Sequence, residues 1–187
     1  MKPVVVVDTN VPIVANGESC VSPDCQERCV VQLLRVTSGE FRIAVDDGGL
    51  VIDEYRRNLQ AGQPGVGHEF LRWLFNVYWD AEVCDQVAIT PDGGLGGGRE
   101  FLEFPDSKDL ADFDRSDRKF VAVAAAHPKH PPIWEAADAK WVGWAPALAA
   151  AGIEVEFLCE AELRRKYEDN FAPESTGRPS RRNKDGA

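Results

Sequence analysis

The first hydrophobic feature of the chain is a run of four valines, Val4–Val7, with no polar residue among them. An unbroken β-branched run marks a strand buried on both faces of a parallel sheet. Residues 24–37, with Val30, Val31, Leu33 and Leu34 at their apolar positions, predict a helix. Residues 41–45 predict a second strand, 50–59 a helix, and 67–79 a further helix rich in aromatics. A third strand is expected over 82–89, followed by a glycine-rich loop over 91–99. The next helix, over 116–127, stops at Pro128 and the Pro131-Pro132 pair, because proline has no amide to donate. Ile133-Trp134 reads as a short strand, and 144–151 as a helix closed by Gly152, a good residue just past a helix end. A strand over 153–158 and a helix over 160–167 complete the series. Strands alternating with helices predict an α/β domain around a mainly parallel sheet, spanning residues 1–168. In such sheets ligands bind at the carboxyl ends of the strands.

Several carboxylates interrupt this pattern. Asp8 follows the valine run directly, in Asp8-Thr9-Asn10. It points into a strand-end crevice or caps a turn, and both readings stay open. In the helix over 50–59, Val51, Ile52, Tyr55 and Leu59 form an apolar arc that also contains Glu54, while Asp53, Arg56 and Arg57 fall outside it. Burying an ionised carboxylate costs several kcal/mol unless it is paired or bound to metal. In the helix over 116–127, Phe120, Val121, Ala124 and Ala125 make the core face. Asp117 lies inside that arc, whereas Arg118 and Lys119 turn away. A helix cap is the competing reading of Asp117. Asp138 follows the short strand at 133–134 and is either a second strand-end acid or a loop charge. Asp112 and Asp114 read as loop charges near the same place. Inward acids without clustered histidines suit hard cations, Mg2+ or Mn2+.

Composition narrows the possibilities. The chain has 187 residues and a net charge of −10, from 31 acidic and 21 basic residues. This balance argues against a general electrostatic grip on nucleic acid, because that needs Lys and Arg to displace counterions. The end of the chain differs: residues 169–187 are rich in Arg, Pro, Gly, Ser and Asn and predict a disordered basic tail. No stretch is long and apolar enough for a membrane span, and the valine run is too short for a signal peptide, so the cytoplasm is the expected compartment. Five cysteines argue against a disulfide framework. Cys20, Cys25 and Cys29 cluster, but not at the spacings of a structural zinc knuckle, and free thiols are expected. The glycines at 93–98 lack the Gly-Lys-Ser/Thr ending of a P-loop, and Asn10 stands where a haloacid-dehalogenase-like phosphatase has its second Asp.

Taken together, Val4-Val5-Val6-Val7-Asp8-Thr9-Asn10, the 51–59 helix with Glu54, Asp117-Arg118-Lys119-Phe120-Val121 and Asp138 before Gly152-Ile153 resemble the PIN-domain nucleases over about residues 3–160. The resemblance implies a three-layer α/β/α fold and metal-dependent hydrolysis of phosphodiester bonds, usually of RNA. It further implies that Asp8, Glu54, Asp117 and Asp138 are the catalytic acids and ligate one or two Mg2+ or Mn2+ ions that activate a water. Thr9 or Asn10 would orient Asp8 and a substrate. Many small members carry Thr-Asn or Gly-Asp at the fourth acid, where this chain has Ala136-Ala137-Asp138. The expected partners are an RNA, single-stranded or structured, an antitoxin-like protein and a second copy in a homodimer, with no membrane. The chain is longer than the compact toxins of toxin–antitoxin pairs. The rival expectation is a non-catalytic PIN-like module that binds RNA or protein.

Overall fold

The valine run forms β1 (Val4–Val7), and all four residues are buried. It lies at the centre of a five-stranded sheet with β2 (Arg42–Asp46), β3 (Cys84–Val87), β4 (Ile133–Glu135) and β5 (Val155–Phe157). This computed structural model describes residues 2–60, 63–93 and 98–171. Every strand pairing is parallel, and the spatial order is β3-β2-β1-β4-β5. The chain therefore builds outward from β1 in one direction, then crosses back and builds outward on the other side. The crevice between β1 and β4 is the topological switch point, where open α/β sheets hold their ligands.

Helices cover the sheet in a three-layer α/β/α arrangement. They are α1 (Asn10–Ala15), α2 (Pro23–Thr37), α3 (Leu50–Asn58), α4 (Val66–Val77), α5 (Arg118–Ala126), α6 (Lys140–Ala150) and α7 (Glu160–Phe171), with one 3-10 turn at Lys108–Leu110. The first group, α1, α2 and α4, packs together, while α5 lies across β1, β2 and β4.

Several details depart from the sequence expectations. The six-residue α1 has no counterpart in the pattern, because it is short, β-branched and carries Pro12. It is held by packing instead: Asn16 Oδ1 accepts the Gly67 amide at 2.8 Å, and a Cβ at Gly67 would meet the Pro12 carbonyl at 2.1 Å. In α2 the buried stripe is Cys25, Cys29, Leu33 and Val36, while Val31 and Leu34 are exposed. Helix α6 begins at Lys140 rather than at 144 and carries Pro146 inside it, anchored by buried Trp141 and Leu148. Helix α7 runs to Phe171, so residues 169–171 are helical and not part of a tail. The expectation of a disordered tail at 172–187 lies outside the described residues, as do positions 94–97 of the glycine-rich loop.

The cysteine expectation needs correction. Cys25 is not a free thiol but is joined to Cys159, with 5.2 Å between their Cα atoms. The sequence separation of 134 residues hides this pair from any local spacing argument. Cys29 and Cys84 are buried free thiols, and Cys20 is exposed. No helix among the described residues is long and apolar enough to cross a membrane.

Candidate active site

Asp8 leaves the end of β1, and Glu135 closes β4 beside it. The register pairs Val6 with Ile133 and Val7 with Trp134, so one further step sets Asp8 next to Glu135. The Asp8 amide donates to the Trp134 carbonyl at 3.0 Å and keeps the strands together to that point. Both residues are almost fully buried, at 1% and 0% exposure, and their carboxyl groups hydrogen-bond to each other. Two buried carboxyls in contact do not both ionise readily. Burial first, and then the charge of Glu135, pushes Asp8 well above the usual carboxylate range. Burial also raises Glu135. The pair therefore retains a proton where free carboxylic acids have lost theirs.

Local donors hold this pair in place. Asp8 Oδ1 accepts the Asn10 amide at 2.8 Å, so the turn-cap reading and the crevice reading of Asp8 both hold. Glu135 Oε1 accepts the amides of Ala137 and Asp138, each at 2.8 Å. Asn10 Nδ2 lies 3.4 and 3.5 Å from the two oxygens of Glu135. Behind the strand, the buried Tyr55 hydroxyl donates to the Val7 carbonyl.

Two more acids reach the crevice from helices. Glu54 on α3 accepts the Thr9 hydroxyl at 2.7 Å and pairs with the Lys119 ammonium from α5. Asp117 is the N-cap residue of α5 and makes no side-chain capping bond. Its carboxyl is pushed up to about 7, by burial first and then by the charge of Asp8, with smaller contributions from Asp114 and Glu54. The Ser116 hydroxyl, 3.1 Å away, partly opposes that rise. Asp114 is different: its bonds from Ser116 hold it below the usual carboxylate range.

The structure thus gathers Asp8, Glu54 and Asp117 in one crevice and adds Glu135. Asp138 stands at the edge. Its Oδ1 accepts the Lys140 amide at 2.9 Å, and its charge acts on Glu135. Thr9 serves Glu54, and Asn10 serves both Asp8 and Glu135.

The expectation that Arg118 and Lys119 turn away is wrong. Both are buried. The Arg118 guanidinium donates to the carbonyls of Phe113 and Ala111, at 3.0 and 2.7 Å, and lies over the Phe104 ring. Lys119 donates to the Ser116 carbonyl and neutralises Glu54. A helical-wheel projection cannot see a loop folded over the outer side of a helix, and residues 98–117 supply one here.

Glu135 is the site residue that sequence reasoning missed. The available signal was its resemblance to Asp8, an acid directly after two apolar strand residues, Ile133 and Trp134. Only the strand order reveals that β4 neighbours β1.

The chemistry of these donors fits a hard divalent cation: four carboxyl groups meet the Lys119 ammonium, and oxygen ligands suit Mg2+ or Mn2+. Their spacing is wider than a closed cage. Among the described residues, the set of three whose ligand atoms all lie within 4.8 Å of one another is Cys25, Cys29 and Cys159. Lys119 pairs with Glu54 at one side of the crevice. No family model matches this chain, and no curated protein or solved structure matches it.

Proposed function

We propose that this protein is a metal-dependent endoribonuclease, as the PIN-like pattern of its acids suggests. The observation that carries the reading is the meeting of Asp8 and Glu135 at the switch point of the sheet, two buried acids in contact with each other. Such a pair destabilises the fold unless something offsets its charge. Asp8 and Glu135, with Asp117 and Glu54 beside them, would hold one or two Mg2+ or Mn2+ ions. A bound divalent ion supplies charge neutralisation at a phosphate and lowers the pKa of a water.

The chain's own residues do the rest. Asn10 fixes Asp8 through its amide and Glu135 through its side chain. Thr9 orients Glu54. Lys119 offsets one negative charge, so a polyanionic substrate meets less repulsion. The overall charge of −10 implies weak substrate affinity and leaves RNA recognition to the metal site, the basic C-terminal segment or a protein partner. A cytoplasmic setting accords with an RNA substrate.

The test is cleavage of a labelled single-stranded RNA by the purified full chain in Mn2+. Activity that EDTA removes, and that Asp8→Asn or Glu135→Gln abolishes with the fold intact, supports the proposal. If those variants cut as well as the parent, the activity belongs to a contaminant. If all preparations are inactive but bind RNA, the non-catalytic reading replaces it.

A further inference from the structure

Three sulfur atoms from distant parts of the chain meet beneath the surface beside β4. Cys25 and Cys29 lie one turn apart on α2, which puts both on the same helix face. Cys159 joins them from the junction of β5 and α7. All three residues are buried, and their Sγ atoms lie within 4.8 Å of one another. The structure holds Cys25 and Cys159 as a disulfide and Cys29 as a free thiol. A disulfide alone requires two of these sulfurs, so the third has no part in that bond.

We propose that Cys25, Cys29 and Cys159 form a redox-gated thiolate site for a borderline-soft divalent cation of the Zn2+ type. The donor chemistry separates this site from the carboxylate crevice, because thiolates select zinc-like ions and oxygens select Mg2+ or Mn2+. Size is compatible. A Zn–S bond of about 2.3 Å places tetrahedral sulfurs about 3.8 Å apart. The three Sγ atoms lie within 4.8 Å of one another, and breaking the Cys25–Cys159 bond lets that bonded pair separate to the required spacing. Access is also present: Cys25 and Cys159 line a surface pocket whose wall includes Ser22, Asp24 and Glu160. A cation would reach the sulfurs from there.

The two states interconvert with balanced chemistry. A small-molecule dithiol delivers two electrons and two protons and becomes a disulfide itself, which breaks the Cys25–Cys159 bond and leaves three protein thiols. The cation then binds all three sulfurs and releases their three protons. In the reverse direction a small-molecule disulfide accepts two electrons from the Cys25 and Cys159 thiolates and two protons from water and becomes two thiols. The protein disulfide re-forms, the cation leaves, and Cys29 takes back a proton. Oxidation thereby ejects the metal, and reduction admits it.

The experiment uses the full chain, reduced under anaerobic conditions, freed of reductant and titrated with Co2+ and then Zn2+. One equivalent of Co2+ should give a sulfur-to-cobalt charge-transfer absorption that Zn2+ removes and a large excess of Mg2+ does not. The oxidised protein should give no such band. Cys29→Ser should weaken binding by at least about tenfold, the scale on which metal sites respond even to changed outer partners. Cys20→Ser should leave it unchanged. In a readout that needs no variant, Zn2+ should protect Cys25, Cys29 and Cys159 of the reduced parent from alkylation, as mapped by mass spectrometry. The proposal is overturned if the reduced chain gives no thiolate band. It is equally overturned if Cys29→Ser binds with parental affinity, or if alkylation of the three cysteines is indifferent to Zn2+. None of these readouts depends on nuclease activity.

Discussion

Asp46 and Asp8 occupy equivalent places in two neighbouring strands, yet they have opposite roles. Each ends or follows a buried β-branched stretch at the carboxyl edge of the sheet. Asp46 uses both oxygens at once: Oδ2 accepts the Leu50 amide and Oδ1 the Val51 amide, each at 2.7 Å. Gly49, at φ +80°, supplies the left-handed turn that brings the start of α3 back onto that carboxylate. Asp46 is thus a fully satisfied helix anchor. Asp8 has one local donor and faces a second acid, Glu135. What separates the two is the sheet order. Beyond β2 the chain continues to β3 without reversing, whereas β1 and β4 flank the reversal. A strand-end acid becomes a candidate site when its carboxyl meets a second acid, as that of Asp8 meets Glu135, and not when local amides take up both its oxygens, as they do at Asp46.

Substitution tests this contrast most severely. Asp8→Asn and Glu135→Gln should lower Mn2+-dependent RNA cleavage by more than about 100-fold, the upper end for outer partners of a metal site. Asp46→Asn, equally buried, should keep the rate within a few fold. Initial rates at saturating Mn2+ decide it, and a collapse in Asp46→Asn equal to that in Asp8→Asn would erase the distinction.

Stability should show the reverse ranking. Asp46→Ala removes the acceptors of two amides at the start of α3 and should cost about 2–4 kcal/mol, from lost capping and unsatisfied donors. Asp8→Asn relieves the repulsion with Glu135 and should stabilise the EDTA-treated protein by about 1 kcal/mol, one pKa unit's worth of interaction. Urea unfolding of both variants measures the difference directly.

The pH dependence of stability sharpens the same point for Asp117. Its carboxyl is raised in the fold from 3.8 to about 7, so between those values the folded state binds more protons than the unfolded one. Stability in EDTA should therefore fall as pH rises from about 4 to about 7, with Asp8 and Glu135 adding to the same trend. Asp117→Asn should flatten that decline in denaturation midpoints measured across the range.

Asp138 should show the smallest effect. Its carboxylate is engaged by the Lys140 amide at the rim, so Asp138→Ala should change cleavage by less than about tenfold. A loss as large as that of Glu135→Gln would make it a full member of the site.

Much of this protein was determined by its sequence alone. The valine run, the 3.6-residue apolar arcs and the proline stop define the α/β alternation, because strand and helix periodicities depend on near neighbours. The same arithmetic placed Glu54 and Asp117 on inward faces, and both reach the crevice. Tertiary structure decided the rest. Which strands lie side by side, and so why Glu135 meets Asp8, depends on crossovers spanning more than a hundred residues. The burial of Arg118 depends on a loop folded over α5, and that of Lys119 on its pairing with Glu54. The nest of three sulfurs joins α2 to a cysteine 134 positions from Cys25. Local periodicity reports which face of an element is apolar. Only the packed chain reports what that face, or a polar residue upon it, comes to touch.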